Sequence, residues 1–204
     1  MMLFTHLLVG LLVGLAATAV GGGPAALAAG LVGGLVPDLD MFADHRRTLH
    51  FPVGFGVVGL PTLAAGVVLG APLVLALGVG LVAAWCHSVM DVFGSARELR
   101  PWDRTSDEAV YNHVLGRWHA PRRFVYDGSP GDLLLCTVLA LVVIRVGDPA
   151  SARVAVLLAV PAAVYALSRR TLARWIPAEY ESLSPFLKAQ LRAVTGRVRR
   201  AVSR

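Results

Sequence analysis

Long apolar stretches separated by short polar turns run along most of the chain. No Lys or Arg precedes Arg46, and none lies between Arg47 and Arg97. A helix needs about 20 predominantly apolar residues to cross the roughly 30 Å hydrocarbon core of a bilayer. Helices are also the structures that satisfy every backbone polar group without water. The pattern therefore predicts an all-α, polytopic transmembrane helical bundle.

The apolar stretches predict about six spans, of which the second is short. They cover residues 3–20, 25–36, 51–69, 72–93, 132–146 and 153–167. A polar loop, residues 94–131, separates the fourth span from the fifth. We therefore expect residues 1–168, with this loop, to form one transmembrane domain, and residues 169–204 to form a basic tail at the membrane surface.

Composition and charge support a membrane protein over a nucleic-acid-binding one. The 204 residues are 56% hydrophobic and 16% charged, whereas a soluble domain carries roughly 25% charged residues. The net charge of +6 arises mainly in the tail, where apolar residues recur at helical spacing between arginines: Leu187, Leu191, Val194, Val198 and Val202. This pattern predicts a basic amphipathic helix lying on anionic headgroups. Membrane lipids are thus the expected partner, and no nucleic acid is expected.

The positive charges also predict an orientation. Six spans place both termini on one side, together with the Arg46–Arg47 loop, the 94–131 loop and the basic tail. Positively charged loops mark the cytoplasmic side of a membrane. We therefore expect a protein integral to the cytoplasmic membrane, with both termini in the cytoplasm.

Several histidines and aspartates lie at the cytoplasmic ends of the first four predicted spans. They are His6, Asp38, Asp40, His45, His50, His87 and Asp91. His87 and Asp91 are four residues apart and share a helix face. Pro37 is expected to end the second helix, so that Asp38 and Asp40 alternate in an extended segment after it.

Imidazole and carboxylate groups together favour Zn²⁺, Mn²⁺ or Fe²⁺ over Ca²⁺ or Mg²⁺. Each group alone also fits a structural role, as a hydrogen-bonded core histidine, a polar pair in a bundle or a turn cap. Ionisable groups at membrane depth are costly and usually functional. Their combination predicts a divalent metal site, with zinc the first choice.

Four short motifs within residues 5–91 resemble, in their order, the motifs of a known protein family. They are Thr5-His6, Pro37-Asp38-Leu39-Asp40, His45-Arg46 with His50, and His87 with Asp91. In this order they resemble the YdjM-like membrane-bound metal-dependent hydrolases, whose pattern reads TH, PDxD, HRxxTH and HxxxD along four helices. Leu49 stands where that family usually has Thr, and Phe51 where Ser often follows, so hydroxyls that could orient His50 are missing.

The resemblance implies an enzyme that hydrolyses a phosphoester or another ester, in a small molecule or a lipid, near the cytoplasmic leaflet. A more distant likeness to zinc-dependent phospholipases C and single-strand nucleases implies a set of metal ligands: His6, Asp38, His50, His87 and Asp91. Either Asp38 or Asp91 could bridge two ions. Asp40 and His45 would be catalytic groups that support the ligands or transfer protons.

The same residues also suggest two other functions. A non-catalytic membrane scaffold or regulator could keep the same residues as a structural polar cluster or metal site. An ion transporter would need ionisable groups near the middle of the membrane, whereas these residues lie at one face.

Overall fold

The computed structural model describes residues 1–175, most of which are helical. Residues 1–168 form one compact unit. The helices, in chain order, are α1 (Leu3–Thr18), α2 (Pro24–Leu35), α3 (Gly54–Val68), α4 (Pro72–Phe93), α5 (Pro130–Val146) and α6 (Pro149–Trp175). A 3₁₀ helix, Val36–Phe42, continues directly from α2. The strands β1 (Val110–Asn112) and β2 (Arg117–His119) pair antiparallel.

Three helices in residues 1–175 are long and apolar enough to cross a membrane: Pro24–Phe42, Pro72–Phe93 and Pro149–Trp175. Helices α1 and α3 are apolar but have only 16 and 15 residues. At 1.5 Å per residue they reach about 24 and 22 Å, less than the roughly 30 Å of hydrocarbon. Three apolar helices are consistent with membrane association, but the predicted six-span bundle is not supported.

The second apolar segment is longer than the sequence predicted. Helix α2 ends at Leu35, close to the expected stop at Pro37, but the 3₁₀ helix then carries the chain on to Phe42. Proline is tolerated in the first turn of a helix, where its missing N–H would have no partner anyway. Asp38 and Asp40 therefore lie on a 3₁₀ helix, and the prediction that they alternate in an extended segment is wrong.

The polar loop between α4 and α5 contains the small sheet, which the sequence analysis did not predict. The strands have three residues each, and Val110 pairs with His119 in their register. The backbone N–H of Tyr111 donates to the carbonyl of Arg46 at 3.0 Å. The hairpin is thus attached to the loop between the 3₁₀ helix and α3.

Glycines bring the first, second and fourth helices into close contact. A Cβ built on Gly30 would lie 2.1 Å from the carbonyl oxygen of Gly10, and one built on Gly33 would lie 2.1 Å from that of Gly80. Only residues without a side chain allow membrane helices to approach this closely. The close packing fixes the ends of α1, α2 and α4 relative to one another.

A second unit of the chain begins at Arg169. The predicted amphipathic helix over residues 187–202 lies outside the described residues.

Candidate metal centre

Four segments, from three separate stretches of the sequence, meet at one end of the helical unit. They are the first turn of α1, the 3₁₀ helix, the loop before α3 and the last turns of α4. All seven predicted site residues lie in these segments: His6, Asp38, Asp40, His45, His50, His87 and Asp91. Four of them, Asp38, His50, His87 and Asp91, each offer one ligand atom, and these atoms all lie within 4.8 Å of one another.

His87 is held in one tautomer by the backbone of α2. Its Nδ1 lies 2.7 Å from the carbonyl oxygen of Gly34. Because a carbonyl oxygen only accepts hydrogen bonds, Nδ1 must carry the proton and donate it. In the neutral ring, Nε2 then presents a lone pair. That atom lies 3.4 Å from Oδ1 of Asp38 and 3.7 Å from Oδ2 of Asp91.

His50 is held in a similar way by a carboxylate. Its Nδ1 donates to Oδ2 of Asp40 at 2.9 Å, and its Nε2 lies 3.4 Å from Oδ2 of Asp91. Burial lowers the pKa of His50, but the carboxylates of Asp40 and Asp91 outweigh it and raise the pKa to about 9. The two carboxylates therefore favour a positive charge at or beside the His50 ring.

The distances fit a divalent cation. Metal–nitrogen and metal–oxygen bonds of about 2.0–2.2 Å at a tetrahedral angle place ligand atoms roughly 3.4 Å apart. The distances between neighbouring ligand atoms are 3.4, 3.4 and 3.7 Å. In addition, four buried side-chain nitrogens in the described part of the chain have no hydrogen-bond partner, and all belong to this cluster: His6 Nδ1, Arg46 Nε, His50 Nε2 and His87 Nε2. Such buried groups are normally satisfied. Nε2 of His50 and Nε2 of His87 can each offer a lone pair to a cation, whereas Nε of Arg46 can only donate a hydrogen bond.

Asp40 lies behind the ligand atoms, where it organises the loop before α3. Its buried carboxylate accepts five hydrogen bonds. The donors are the imidazoles of His45 and His50 and the backbone N–H groups of Arg46, Arg47 and Leu49. With both oxygens engaged in this way, Asp40 supports His50 as a carboxylate commonly supports a metal-binding histidine.

His45 and His6 occupy the edges of the cluster. The side chain of His45 is 37% exposed, and its Nδ1 contacts Oδ1 of Asp40 at 2.8 Å. The His6 ring stacks on the His87 ring with centroids 3.7 Å apart, and its Nε2 lies 3.2 Å from Oδ1 of Asp91. His6 thus contacts two of the grouped residues without belonging to the group of four.

Arg46 is a site residue that the sequence analysis did not identify. Only 7% of its side chain is exposed, and its Nε lies 3.3 Å from Oδ2 of Asp91. Its guanidinium also donates to the carbonyl of Ser95. The amine of Met1 contacts the other carboxylate oxygen, Oδ1 of Asp91, at 2.7 Å. In the sequence, the only signal for Arg46 was its position beside His45 in the third motif.

The site combines two imidazoles and two carboxylates, a ligand set that suits zinc, manganese or iron. Asp38 is the most accessible of the four, with 23% of its side chain exposed, whereas the side chains of His50 and His87 are fully buried. A molecule from outside would therefore approach the cluster from the side of Asp38. Comparisons with protein-family models, with curated proteins and with solved structures found no match for this chain.

Proposed function

We propose that this protein is a membrane-embedded metal-dependent hydrolase that cleaves a phosphoester or another ester near the cytoplasmic leaflet. One observation carries the proposal. The buried Nε2 of His87 has no hydrogen-bond partner and faces the carboxylates of Asp38 and Asp91. A divalent cation between these atoms would be bound by the imidazole nitrogen and would neutralise both carboxylates. Zinc is the ion that the ligand set fits best.

The residues around the ion would have distinct tasks. Asp38, His50, His87 and Asp91 would bind it, and a divalent ion held there would supply a Lewis acid that polarises an ester and activates water. Asp40 and the Gly34 carbonyl would hold the two imidazoles with Nε2 toward the ion. Buried and shielded from water, these groups would keep their orientation during the reaction.

The resemblance to the YdjM-like hydrolases supports the same function. Three of its four motifs supply all four grouped residues and Asp40, and the first motif supplies the adjacent His6. Leu49 and Phe51 lack the hydroxyls usual in that family, but His50 is oriented by Asp40, and Leu49 contributes its backbone N–H to the same carboxylate at 3.1 Å. The departures therefore leave the orientation of His50 intact.

A second candidate function is a non-catalytic membrane scaffold or regulator. The observation that favours it is the buried ion pair of Arg46 and Asp91. This pair compensates the charge of Asp91 from within the protein, as a purely structural network would. Under this alternative, substitutions in the cluster lower stability while no hydrolysis exists to lose.

A hydrolysis assay separates the two functions. The detergent-purified protein, loaded with zinc or manganese, would be screened against phosphomonoesters, phosphodiesters and carboxylic esters. We expect the wild type to hydrolyse one of these classes. We also expect His87→Ala to lose at least 100-fold in rate, because it removes a ligand atom.

His119→Ala is the matched control, because the His119 side chain pairs with Asn112 in the hairpin and is not one of the grouped residues. It should retain the wild-type rate. Equal rates in His87→Ala and the wild type, or no hydrolysis of any class by a metal-loaded wild type, would favour the scaffold.

A further inference from the structure

Arg46 is held inside the cluster by an unusual backbone conformation. It is one of three non-glycine residues with positive φ in the described chain, at 62°. Side chains with a Cβ adopt this region at a cost, so the surrounding structure must fix it. Asp40 accepts from the Arg46 N–H at 3.1 Å, and the Arg46 carbonyl accepts from Tyr111 at 3.0 Å. Hydrogen bonds at both its N–H and its carbonyl thus hold the Arg46 backbone in the conformation that directs the side chain into the cluster.

The inward side chain brings an incompletely satisfied donor to the ligand atoms. Nε of Arg46 is buried and has no hydrogen-bond partner, although Oδ2 of Asp91 lies 3.3 Å away. The same oxygen faces the unpartnered Nε2 atoms of His50 and His87 at 3.4 and 3.7 Å. Three of the four unpartnered buried nitrogens therefore surround one carboxylate oxygen.

The charges around this oxygen indicate what kind of group the cluster would accept. In the absence of a metal, the carboxylate of Asp91 compensates the guanidinium of Arg46. A divalent cation would neutralise Asp38 and Asp91, and the guanidinium would then lack a full counter-charge. A buried cation without a counter-charge strongly favours a nearby anion. Arginine in particular matches the oxygens of phosphate, to which it can donate two hydrogen bonds.

From this arrangement we infer that Arg46 is a substrate-positioning residue that binds an anionic phosphoryl group beside the metal. The inference rests on the proposed hydrolase function and narrows its substrate class from esters in general to phosphate-bearing ones. The guanidinium would donate through Nε–H to a phosphoryl oxygen of the substrate, and the grouped residues would hold the metal beside it. A neutral carboxylic ester would leave the guanidinium charge uncompensated.

Binding of inorganic phosphate tests this inference without relying on catalysis. Calorimetric titration of the metal-loaded protein in detergent would compare the wild type with Arg46→Gln and Arg46→Lys. We expect Arg46→Gln to weaken phosphate binding at least tenfold, because it removes the charge. Arg46→Lys should restore part of the loss, since it keeps the charge but not the planar fork.

Arg47→Gln provides the matched control. Arg47 is the next residue in the loop, but its side chain is 47% exposed and pairs with Asp44 at 3.4 Å. It should bind phosphate like the wild type. Imidazole, a neutral probe for an open metal position, should bind equally to all four proteins and so show that the metal site of each variant is intact.

The outcomes separate this inference from the proposed function. Unchanged phosphate affinity in both Arg46→Gln and Arg46→Lys, with imidazole binding intact, would overturn the role of Arg46 alone. A wild type that takes up no metal would overturn the proposed function and this inference together. If Arg46→Gln does not fold, Arg46→Lys decides: reduced phosphate affinity supports the inference and wild-type affinity overturns it.

Two phosphomonoesters distinguish the source of the phosphoryl group. Glycerol 3-phosphate and lysophosphatidic acid carry the same headgroup chemistry but differ in the acyl chain. If the Arg46 substitutions weaken the binding of both compounds, the inference is supported. At least tenfold tighter binding of the lipid would then assign a membrane substrate, and similar affinities a soluble one. Binding of either compound that does not depend on Arg46 would contradict the inference.

Discussion

The residue at the centre of the local structure is Asp40, whose carboxylate joins two histidines to the backbone of the loop between the 3₁₀ helix and α3. The loop lacks the regular backbone hydrogen bonds of a helix or strand. Its N–H groups and histidines donate to the buried Asp40 carboxylate instead. It also fixes the direction of His50, and through the Arg46 N–H it helps to fix that arginine. The ligand set and the proposed anion-binding residue therefore share one support.

Asp40→Asn tests this role. An amide would place an NH₂ group where the carboxylate accepts hydrogen bonds, and it would remove the charge beside His50. Replacement of a group that supports a metal ligand typically lowers metal affinity 10- to 100-fold. We expect a loss in that range, measured by competition with a zinc chelator, together with a lower melting temperature.

Asp44→Asn is the control for this substitution. Asp44 lies in the same loop, but its side chain is 38% exposed and makes surface ion pairs with Arg47 and Arg97. Such pairs contribute about 0–1 kcal/mol, so metal affinity should stay unchanged. An equal loss of metal affinity in both variants would mean that Asp40 acts only through general loop stability.

Sequence reasoning named the four grouped residues, with His6, as candidate ligands but did not identify Arg46, for a physical reason. The four-residue spacing of His87 and Asp91 is enough to place both on one helix face. The burial of Arg46, in contrast, depends on a left-handed backbone and on the carbonyl of Ser95, which is 49 residues away in the chain. In the sequence, Arg46 was interpreted as an arginine that marks the cytoplasmic side, and its place in the third motif did not indicate that its side chain is buried.

At the level of the elements, close helix packing determines where the candidate ligands lie. Helix α1 contacts α2 through Gly10 and Gly30, and α2 contacts α4 through Gly33 and Gly80. The carbonyl of Gly34 at the end of α2 can reach His87 on α4 only because these backbones are close. The apolar pattern predicted the helices well, but hydropathy alone overstated how many of them are long enough to cross a membrane.

Gly30→Ala tests the packing. A Cβ at this position would lie 2.1 Å from the carbonyl oxygen of Gly10, so the backbones must separate. Overpacking of this kind costs about 1–3 kcal/mol. We expect a lower melting temperature in detergent, accompanied by weaker metal binding because the ends of α1, α2 and α4 move apart.

Gly23→Ala offers a comparison at the start of the same helix, since a Cβ there would meet nothing within 4 Å. It should melt within a few degrees of the wild type. If Gly30→Ala matched the wild type in melting temperature, the close approach of α1 and α2 would not support the fold.

For the whole molecule, apolar helices carry a polar cluster at one end of the helical unit. Three described helices can cross a membrane by length and composition. Within residues 1–175, most of the buried ionisable side chains belong to this cluster. The others include Arg169 and Asp132, and Asp132 accepts hydrogen bonds from Met2 and Thr5 and so connects α5 to α1. Ionisable groups buried among apolar helices are costly, and this cost is consistent with the metal site proposed above.

The measurement that tests the central claim most directly is the metal content of the detergent-purified protein. Plasma mass spectrometry would compare the wild type with Asp38→Asn and His87→Ala, using the exposed Asp107→Asn and the hairpin variant His119→Ala as controls. We predict at least one equivalent of zinc, manganese or iron per chain in the wild type and both controls, and its loss in the two site variants. A folded wild type that contains no metal, and takes up none when zinc, manganese or ferrous iron is added, would contradict the account.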